Sequence, residues 1–303
     1  MSKEGENLQK YFLLLFLLLP FIHADAAQKH VLIVQGTEIR PYREAVEGFK
    51  STCQCTTSEL LLSESEGLNI FREIRSSKPD LVFAVGVDAL LGLKAIKNVP
   101  IVYAMVSNPE SLPIAGTNIT GVSMNITPER QLALLREAYP ELHRIGLLYN
   151  PVKSGHFVKR ALLASKDMPI KIIAKEIRNP KEVPLKIDSF RDKIDVFWMI
   201  SDLTVFSPAI TEYLFLFSFE NKIPVLTFSE KYLAMGAVLS ANIDANDIGR
   251  QAGEMTAKIL SGVRVADVPS IDARKAIVAV NSIAARKLGR NLNKDFFTGG
   301  NHH

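Results

Sequence analysis

A change of pattern in the middle of the chain most constrains its fold. The segment 114–126 is rich in Gly and Asn, which is typical of a connection rather than of a core element. Thr127 and Pro128 then begin a helical pattern that Pro140 ends, and the apolar run Arg144–Tyr149 follows it. A polar connection that leads into a new helix and a new strand predicts that a second α/β lobe begins here.

Before this connection, apolar runs of strand type alternate with helical patterns. Each run is short and apolar and lies next to turn residues, as is typical of buried parallel strands. Alternation at this spacing predicts a right-handed parallel α/β lobe. The predicted strands of this first lobe are His30–Gln35, Thr56–Leu62, Leu81–Val85 and Ile101–Val106.

The same order of elements restarts after the connection, with predicted strands at 144–149, 170–174, 196–200 and 224–228. The predicted fold class is therefore α/β, with two doubly wound parallel-sheet lobes joined by a multi-strand hinge. The chain is expected to cross between lobes near 117–125 and near 236–245, and a third crossing near 262–275 is left open. The predicted lobes are 27–118 plus about 242–262 and 124–236 plus about 270–290, and residues 291–303 are a tail.

The first 26 residues have the order of regions that is typical of a secretory signal peptide. Lys3 and Lys10 precede the apolar run Tyr11–Ile22, and Ala24-Asp25-Ala26 provides a cleavage site. A run of this length is too short to span a bilayer comfortably. We therefore expect a cleavable signal peptide and a periplasmic or otherwise extracytoplasmic protein, with an uncleaved membrane anchor as the alternative.

The charge pattern argues against a nucleic-acid partner. The formal net charge is +4, and no block of Arg and Lys with interleaved aromatic residues occurs along the chain. The motifs of a nucleophile elbow, a P-loop and a dinucleotide-binding loop are also missing. These observations favour a protein that binds small molecules without a cofactor.

The only two cysteines, Cys53 and Cys55, do not define a metal site. Two thiols offer half of a tetrahedral zinc site, and no further Cys pair or spaced His pair completes it. A disulfide between residues two apart would close a small ring. The sequence therefore favours two ordinary cysteines at the edge of an element, and no metal is predicted.

Polar side chains recur where the predicted strands of both lobes end. Ligands of parallel α/β sheets bind outside the carboxyl ends of the strands, where loops meet helix amino termini. Each of these residues could also be a simple turn former or helix cap, so their recurrence at one end of both sheets carries the interpretation. These candidates are Asp88, Ser107, Asn108, Asn150, Ser154, Asp202, Ser229, Glu230 and Asp244.

Several of these positions suggest separate contributions to ligand binding. The helix start after Gly86, with Val87 beside it, could hold a carboxylate through its backbone N–H groups. Asp202 or Asp244 could pair with an ammonium group. The rings of Tyr42 or Phe206 could cover an apolar side chain, and Glu38 lies in the loop after the first strand.

Five linked segments carry a resemblance to a known family. The chain resembles substrate-binding proteins of ABC transporters with the type I periplasmic-binding architecture, in the group typified by tryptophan- and tyrosine-binding components. The crossover segment and the strand that follows it are the most specific part. The segments are KPDLVFAVGVDA (78–89), VPIVYAMVSNPE (99–110), GTNITGVSMNITPERQLALLREAYPELHRIGLLYNP (116–151), IPVLTFSEKYLAMGAVLS (223–240) and DANDIGRQAGEMTAKILSG (244–262).

The resemblance implies a monomeric two-lobed receptor that closes on a small polar solute, such as an amino acid or a related compound. The receptor would deliver that solute to an ABC permease in the inner membrane. Two positions depart from the family pattern: Val87 stands where the family usually has Thr, and Asn108 where it usually has Asp. An amino-acid ligand therefore does not follow from the resemblance alone.

Two other classes of function are consistent with the same pattern. The first is a periplasmic sensor whose closed form is recognised by a membrane signalling partner. The second is an α/β enzyme acting in the cleft, for which Asp88, Asp202 and Glu230 are the candidate acids or bases. Genomic neighbourhood would separate the sensor from the importer, and a turnover screen would test the enzyme.

Overall fold

The computed structural model describes residues 28–64, 70–114, 116–202, 204–290, 292–293 and 296. The predicted signal peptide and most of the predicted tail lie outside the described residues. The chain is α/β and contains two six-stranded sheets, as the sequence predicts. Within the described ranges, no helix has the length and apolar character needed to cross a membrane.

The first sheet has the strand order β11-β5-β4-β3-β1-β2, and all its pairings are parallel. Its central strands are apolar on both faces because helices cover both faces. The first-lobe elements are β1 (His30–Gln35), α1 (Arg40–Thr52), β2 (Thr56–Leu61), α2 (Ile70–Ser77), β3 (Leu81–Val85), α3 (Val87–Leu93), β4 (Ile101–Val106), β5 (Ile119–Ile126), α8 (Ala245–Leu260) and β11 (Ile271–Ala273).

The second sheet has the order β12-β10-β9-β8-β6-β7, and only the edge pairing of β12 with β10 is antiparallel. When the first five strands of each lobe are numbered in chain order, both sheets have the strand order 2-1-3-4-5, which is a doubly wound order. The second-lobe elements are α4 (Pro128–Ala138), β6 (Arg144–Tyr149), α5 (Pro151–Ala164), β7 (Lys171–Glu176), α6 (Val183–Asp188), β8 (Val196–Trp198), α7 (Pro208–Asn221), β9 (Val225–Thr227), β10 (Leu239–Ile243), β12 (Ala276–Val280) and α9 (Ser282–Lys287).

Close packing of α8 on α1 returns the chain to the first lobe after β10. Gly249 lies against the backbone carbonyl of Ala45, and Gly48 lies against that of Asn246, so that a Cβ atom at either glycine would overlap the other helix. Side chains larger than hydrogen are therefore excluded at this contact. The two glycines let α8 complete the helical layer on one face of the first sheet.

The interpretation of the polar segment 114–126 as a connection is wrong over most of its length. Residues 119–126 form β5, which pairs with β4 and β11 in the first sheet. Its polar side chains are satisfied by distant partners: Thr120 Oγ1 donates to the Val268 carbonyl at 2.7 Å, and Ser123 Oγ donates to Asp272 at 2.6 Å. A buried strand can therefore be polar where such partners are available.

The lobe boundaries move accordingly. The first lobe was predicted to end at 118 and the second to begin at 124, but 119–126 is a single strand, β5, of the first sheet. The predicted limits also assign 270–290 to the second lobe, whereas β11 pairs with β5 in the first sheet. In the described residues the chain changes sheet at 126–128, at 243–245 and at 273–276. The hinge therefore consists of three short crossovers, and each begins at the carboxyl end of a strand.

The two cysteines are joined, in contrast to the sequence interpretation. Helix α1 ends at Thr52, and Cys53 takes an extended backbone conformation. The Cα atoms of Cys53 and Cys55 are consequently 5.3 Å apart, within the range that a disulfide requires, and the sulfur atoms are bonded. The small ring forms because the chain straightens directly after the helix.

Candidate binding cleft

A cavity lies between the two lobes, where the carboxyl ends of their parallel strands face each other. Its volume is about 60 Å³, far below the roughly 300–1,000 Å³ of small-molecule pockets. The lobes touch directly across it, because the Asn108 side chain donates a hydrogen bond to the Ser201 carbonyl at 3.3 Å. The cavity is lined by Ser107, Asn108, Met124, Asn125, Ile126, Gln131, Ser154, Phe157, Ile200, Ser201, Phe228, Ala241 and Ile243.

Hydroxyl, amide and apolar groups line this cavity, and no charged side chain is among them. Asn125 is buried, and among the described residues no hydrogen bond reaches its side-chain amide. Buried polar groups are normally hydrogen-bonded, so this amide is suited to a partner that enters the cavity. Gln131, by contrast, already bonds to the Ile126 carbonyl and to the Trp198 ring.

The rim of the first lobe brings together Tyr42, Gly86 and Asp88. Gly86 has a φ of +91°, and a Cβ atom there would lie 2.5 Å from the Tyr42 hydroxyl, so Tyr42 packs directly on the bare backbone. Burial, and to a smaller extent the negative charge of Asp88, raise the pKa of Tyr42 above its ordinary value. Tyr42 is therefore a neutral, half-buried ring beside an exposed carboxylate.

The neighbouring candidates of the first lobe differ in their position. Val87 packs against the apolar cluster between the first sheet and α3. Glu38 is exposed, and one of its carboxylate oxygens lies 3.5 Å from a guanidinium nitrogen of Arg43. Ser107 and Asn108 follow β4, and Asn108 has a left-handed backbone with a φ of 44° that Asn tolerates better than most residues.

The rim of the second lobe is organised around the buried carboxylate of Asp202. One oxygen accepts from the Asn150 backbone N–H at 2.7 Å and from the Ser154 hydroxyl at 2.6 Å. The other accepts from the Thr204 backbone N–H at 3.1 Å and from its hydroxyl at 2.5 Å. With these acceptor sites filled, Asp202 positions Asn150 and Ser154, and Ser154 lies between it and the cavity.

Four candidates at the rim and at the second crossover have local roles. Asn150 caps α5 through hydrogen bonds from two backbone N–H groups, and Asp244 caps α8 at the second crossover. Asp244 also lies 4.0 Å from the Lys275 ammonium group. Ser229 and the exposed Glu230 follow β9, and the Glu230 backbone N–H donates to the side chain of Asn242.

Phe206 does not lie at the cleft surface. Its ring is only 5% exposed and packs edge-on against Phe197 in the core of the second lobe. An apolar ring that follows a strand was expected to cover a ligand, but the turn after Asp202 directs it inward. Phe157 and Phe228 provide the aromatic rings of the cavity instead.

Sequence reasoning missed several residues that line the cavity. Asn125 and Met124 lie on β5, which the sequence analysis interpreted as a connection. Phe228 was the last residue of a predicted strand, so its position at a carboxyl end was a usable signal. Gln131 and Phe157 lie on helices, and their spacing does not distinguish a core residue from a cleft residue.

An ion pair and a further polar contact also bridge the lobes beside the cavity. A guanidinium nitrogen of Arg160, on α5, lies 2.6 Å from a carboxylate oxygen of Asp272, on β11. The same carboxylate accepts a hydrogen bond from the Ser123 hydroxyl. On the same side of the cleft, Nδ1 of His156 in the second lobe lies 3.8 Å from a carboxylate oxygen of Glu110 in the first lobe. These contacts, together with the hydrogen bond from Asn108, indicate that the lobes are closed in this structure.

Comparison with solved structures supports the fold. The chain is similar to a ligand-free, open structure of a substrate binding protein with adhesive properties from Clostridium difficile, with a TM-score of 0.68 and 24% identity over 88% of this chain and 97% of that one. It is also similar to an ABC domain in complex with L-Trp from Streptococcus pneumonia, with a TM-score of 0.61 and 19% identity over 90% and 98% of the two chains. At these identities the likeness establishes the fold.

Sequence comparison identifies the family. A protein named tyrosine-binding protein from Clostridioides difficile is 28% identical over 274 residues, which cover 86% of this chain and 76% of that protein. The profile of the family described as ABC transporter substrate binding protein matches residues 48–298. The match extends from α1 through both lobes and the crossovers, so it covers the cleft as well as the fold. The chain therefore belongs to the family of ABC transporter substrate binding proteins.

Proposed function

We propose that this protein binds a small polar solute in the cleft between its lobes and delivers it, by hinge closure, to the permease of an ABC importer. Members of this family are extracytoplasmic and work with a small-molecule ligand and a membrane permease. The observation that carries the proposal is a cavity to which both lobes contribute side chains at the carboxyl ends of their strands. Export by a cleavable signal peptide in residues 1–26 and a monomeric state belong to the same proposal.

The lining of the cavity favours a solute that combines an apolar body with a hydrogen-bonding end. Phe157 and Phe228 offer aromatic surface, while Ser107 and Asn125 offer a hydroxyl and an amide. One relative is named for tyrosine, and one similar structure contains L-Trp. Aromatic amino acids are therefore the first candidates. Because the cavity of about 60 Å³ is far below the volume of small-molecule pockets, the lobes would lie further apart around such a ligand than in this structure. Asn108 would present an amide to an ammonium group instead of a carboxylate.

Binding and closure are coupled because a ligand can contact both rims only when the cleft shuts. Binding energy then shifts the equilibrium between open and closed forms. The crossovers at 126–128, 243–245 and 273–276 are the segments whose backbone angles change, while each lobe moves as a unit. The permease recognises the closed arrangement of the two rims.

A thermal-shift screen followed by calorimetry tests this function. The probes are L-tyrosine, L-tryptophan, the other amino acids, nucleosides and small organic anions, since a bound ligand raises the melting temperature by mass action. Small-angle scattering with and without a saturating probe is expected to show compaction. A probe that binds without any change in the scattering radius would contradict hinge closure.

Substitution at Asn125 locates the site. Asn125→Leu removes the free amide without adding charge, and we expect binding of the selected probe to weaken about fivefold, because one buried hydrogen bond contributes about 1 kcal/mol. Asn221→Leu is the matched control, since Asn221 ends α7 at the opposite end of the second sheet. Equal affinities of the Asn125 and Asn221 variants would place the ligand elsewhere.

A further inference from the structure

The first crossover is attached to the second lobe by one buried side chain. Ile126 is the last residue of β5 and pairs with Ala273 in the first sheet, yet its side chain packs in the core of the second lobe. Its carbonyl accepts a hydrogen bond at 2.8 Å from the side chain of Gln131, which lies on α4 directly after the crossover. Gln131 therefore holds the residue at which the chain leaves the first sheet.

The same amide group contacts the centre of the second lobe. Gln131 Oε1 accepts a hydrogen bond at 2.8 Å from the ring N–H of Trp198, a fully buried residue on β8. Strand β8 lies in the middle of the second sheet. Gln131 thus connects the crossover to a central strand of the second sheet through two hydrogen bonds of 2.8 Å.

Gln131 also belongs to the wall of the cavity, beside Asn125 and Ile126. Its amide nitrogen carries two protons, and one of them is donated to the Ile126 carbonyl. A ligand in the cavity therefore meets the side chain that fixes the crossover. This juxtaposition of cavity wall, crossover carbonyl and central strand is the basis of the inference.

We propose that Gln131 is a positioning residue that couples the cavity to the hinge. Through its hydrogen bond to the Ile126 carbonyl, it fixes the orientation of that peptide group relative to α4, the helix on which it lies, and thereby limits the angles that the first crossover can adopt. This inference rests on the proposed function, in which closure changes the backbone angles of this crossover. A group that both lines the cavity and bonds to the crossover then links occupation of the cavity to the orientation of the lobes. The alternative is a core amide that only stabilises Trp198.

An inter-lobe distance measurement in the free protein separates these two roles. Spin labels at Lys94→Cys in the first lobe and Lys181→Cys in the second occupy exposed positions, and the two native cysteines are already joined. In Gln131→Leu, which loses both hydrogen bonds, we expect a broader distance distribution that is shifted to longer distances. No ligand is needed for this measurement.

Two further variants act as controls. Trp198→Phe loses the hydrogen bond between the ring and Gln131 but keeps the bond from Gln131 to the Ile126 carbonyl, so its distance distribution should stay close to that of the wild type even though its core is weakened. Thr211→Val removes a buried hydroxyl of α7 that donates to the Ser207 carbonyl and does not line the cavity. It should also leave the distribution unchanged.

The result is decided by comparison of the three variants, each checked for folding by circular dichroism. Broadening in Gln131→Leu alone supports the positioning role. A wild-type distribution in Gln131→Leu, or equal broadening in Trp198→Phe, would show that Gln131 acts only through core stability and would overturn the proposal. Because no solute enters the experiment, this outcome is independent of whether the solute-binding screen succeeds.

Discussion

The two lobes use the same arrangement at the amino ends of their strands. In the first lobe Asp80, which directly precedes β3, accepts the His30 backbone N–H at 2.9 Å and the Lys29 ammonium group at 2.9 Å. In the second lobe Asp195 directly precedes β8 and accepts the backbone N–H of Arg144 at 2.8 Å as well as its guanidinium group at 2.6 Å. In both sheets, an aspartate thus fixes the start of the first strand beside the third.

The carboxyl ends of the strands, in contrast, differ between the lobes. The rim of the second lobe is held by the buried Asp202 and the four hydrogen bonds that it accepts. The rim of the first lobe relies on packing of Tyr42 against Gly86, with Asp88 exposed beside it. The supporting ends of the two lobes are therefore built alike, whereas the second rim is held by hydrogen bonds to a buried carboxylate and the first by packing of the Tyr42 ring on Gly86.

Removal of the Asp202 carboxylate should have the largest effect. Asp202→Ala leaves donors of Asn150, Ser154 and Thr204 without their acceptor, and the loss at the buried Ser154 hydroxyl alone costs about 1–3 kcal/mol. We expect the free energy of unfolding to fall by about 3 kcal/mol, because water can replace part of the lost bonding. Urea denaturation followed by circular dichroism measures this change.

The corresponding change in the first lobe is the control. Asp88→Ala removes an exposed carboxylate, so its effect on the free energy of unfolding should stay within about 0.5 kcal/mol. If both variants lose stability equally, the contrast between the two rims is wrong. A loss confined to the Asp202 variant would sharpen it.

The two aspartates at the amino ends should differ in strength although their arrangement is the same. The Asp195 side chain is 17% exposed, whereas that of Asp80 is 36% exposed. We expect Asp195→Ala to lower the free energy of unfolding by about 2 kcal/mol, since charged hydrogen bonds are lost from a largely buried carboxylate. Asp80→Ala should cost about 0.5 kcal/mol, as exposed ion pairs do.

Urea denaturation curves of both variants, recorded under the same conditions, measure this difference. Equal losses would show that the similarity of the two arrangements outweighs their difference in burial. A larger loss in Asp80→Ala would reverse the comparison between the lobes.

The fold was predictable from sequence where burial leaves a strong pattern. Strands β1, β3 and β4 are buried on both faces, so they appear as continuous apolar runs with the predicted limits. Strand β5 was not predictable, because Thr120 and Ser123 bond to residues about 150 positions later in the chain. Local sequence cannot show that such partners exist.

The position of the cavity between the lobes was predictable from topology, but its lining was predictable only in part. Topology places Ser107, Asn108 and Ser154 at the carboxyl ends of strands, and all three line the cavity. Whether a polar residue faces a ligand or supports its neighbours depends on side-chain orientation, and Asp202 is an example of a supporting residue. Phe206 was misplaced for a similar reason, since one turn after β8 decides whether its ring faces the cleft or the core.

Acid pH should produce the smallest effect and tests the two aspartates once more. Burial raises the pKa of Asp195, but hydrogen bonds from the Arg144 guanidinium and from two backbone N–H groups outweigh it, so that the pKa lies below its ordinary value. The His30 backbone N–H, and then the Lys29 ammonium group, lower the pKa of Asp80. In both cases the charged form is favoured by folding.

The sign of the pH effect follows from these lowered values. A carboxylate with a lowered pKa contributes its stability fully above the unfolded pKa of about 3.9, and this contribution is lost as the pH falls through the folded pKa. The difference in unfolding free energy between wild type and Asp195→Ala should therefore shrink from pH 6 to pH 3, and the difference for Asp80→Ala should shrink less. Denaturation curves at several pH values measure both differences. If the unfolding free energies of wild type and Asp195→Ala changed in parallel with pH, the Asp195 carboxylate would not be hydrogen-bonded in its charged form. The likeness between the two lobes would then be limited to their strand order.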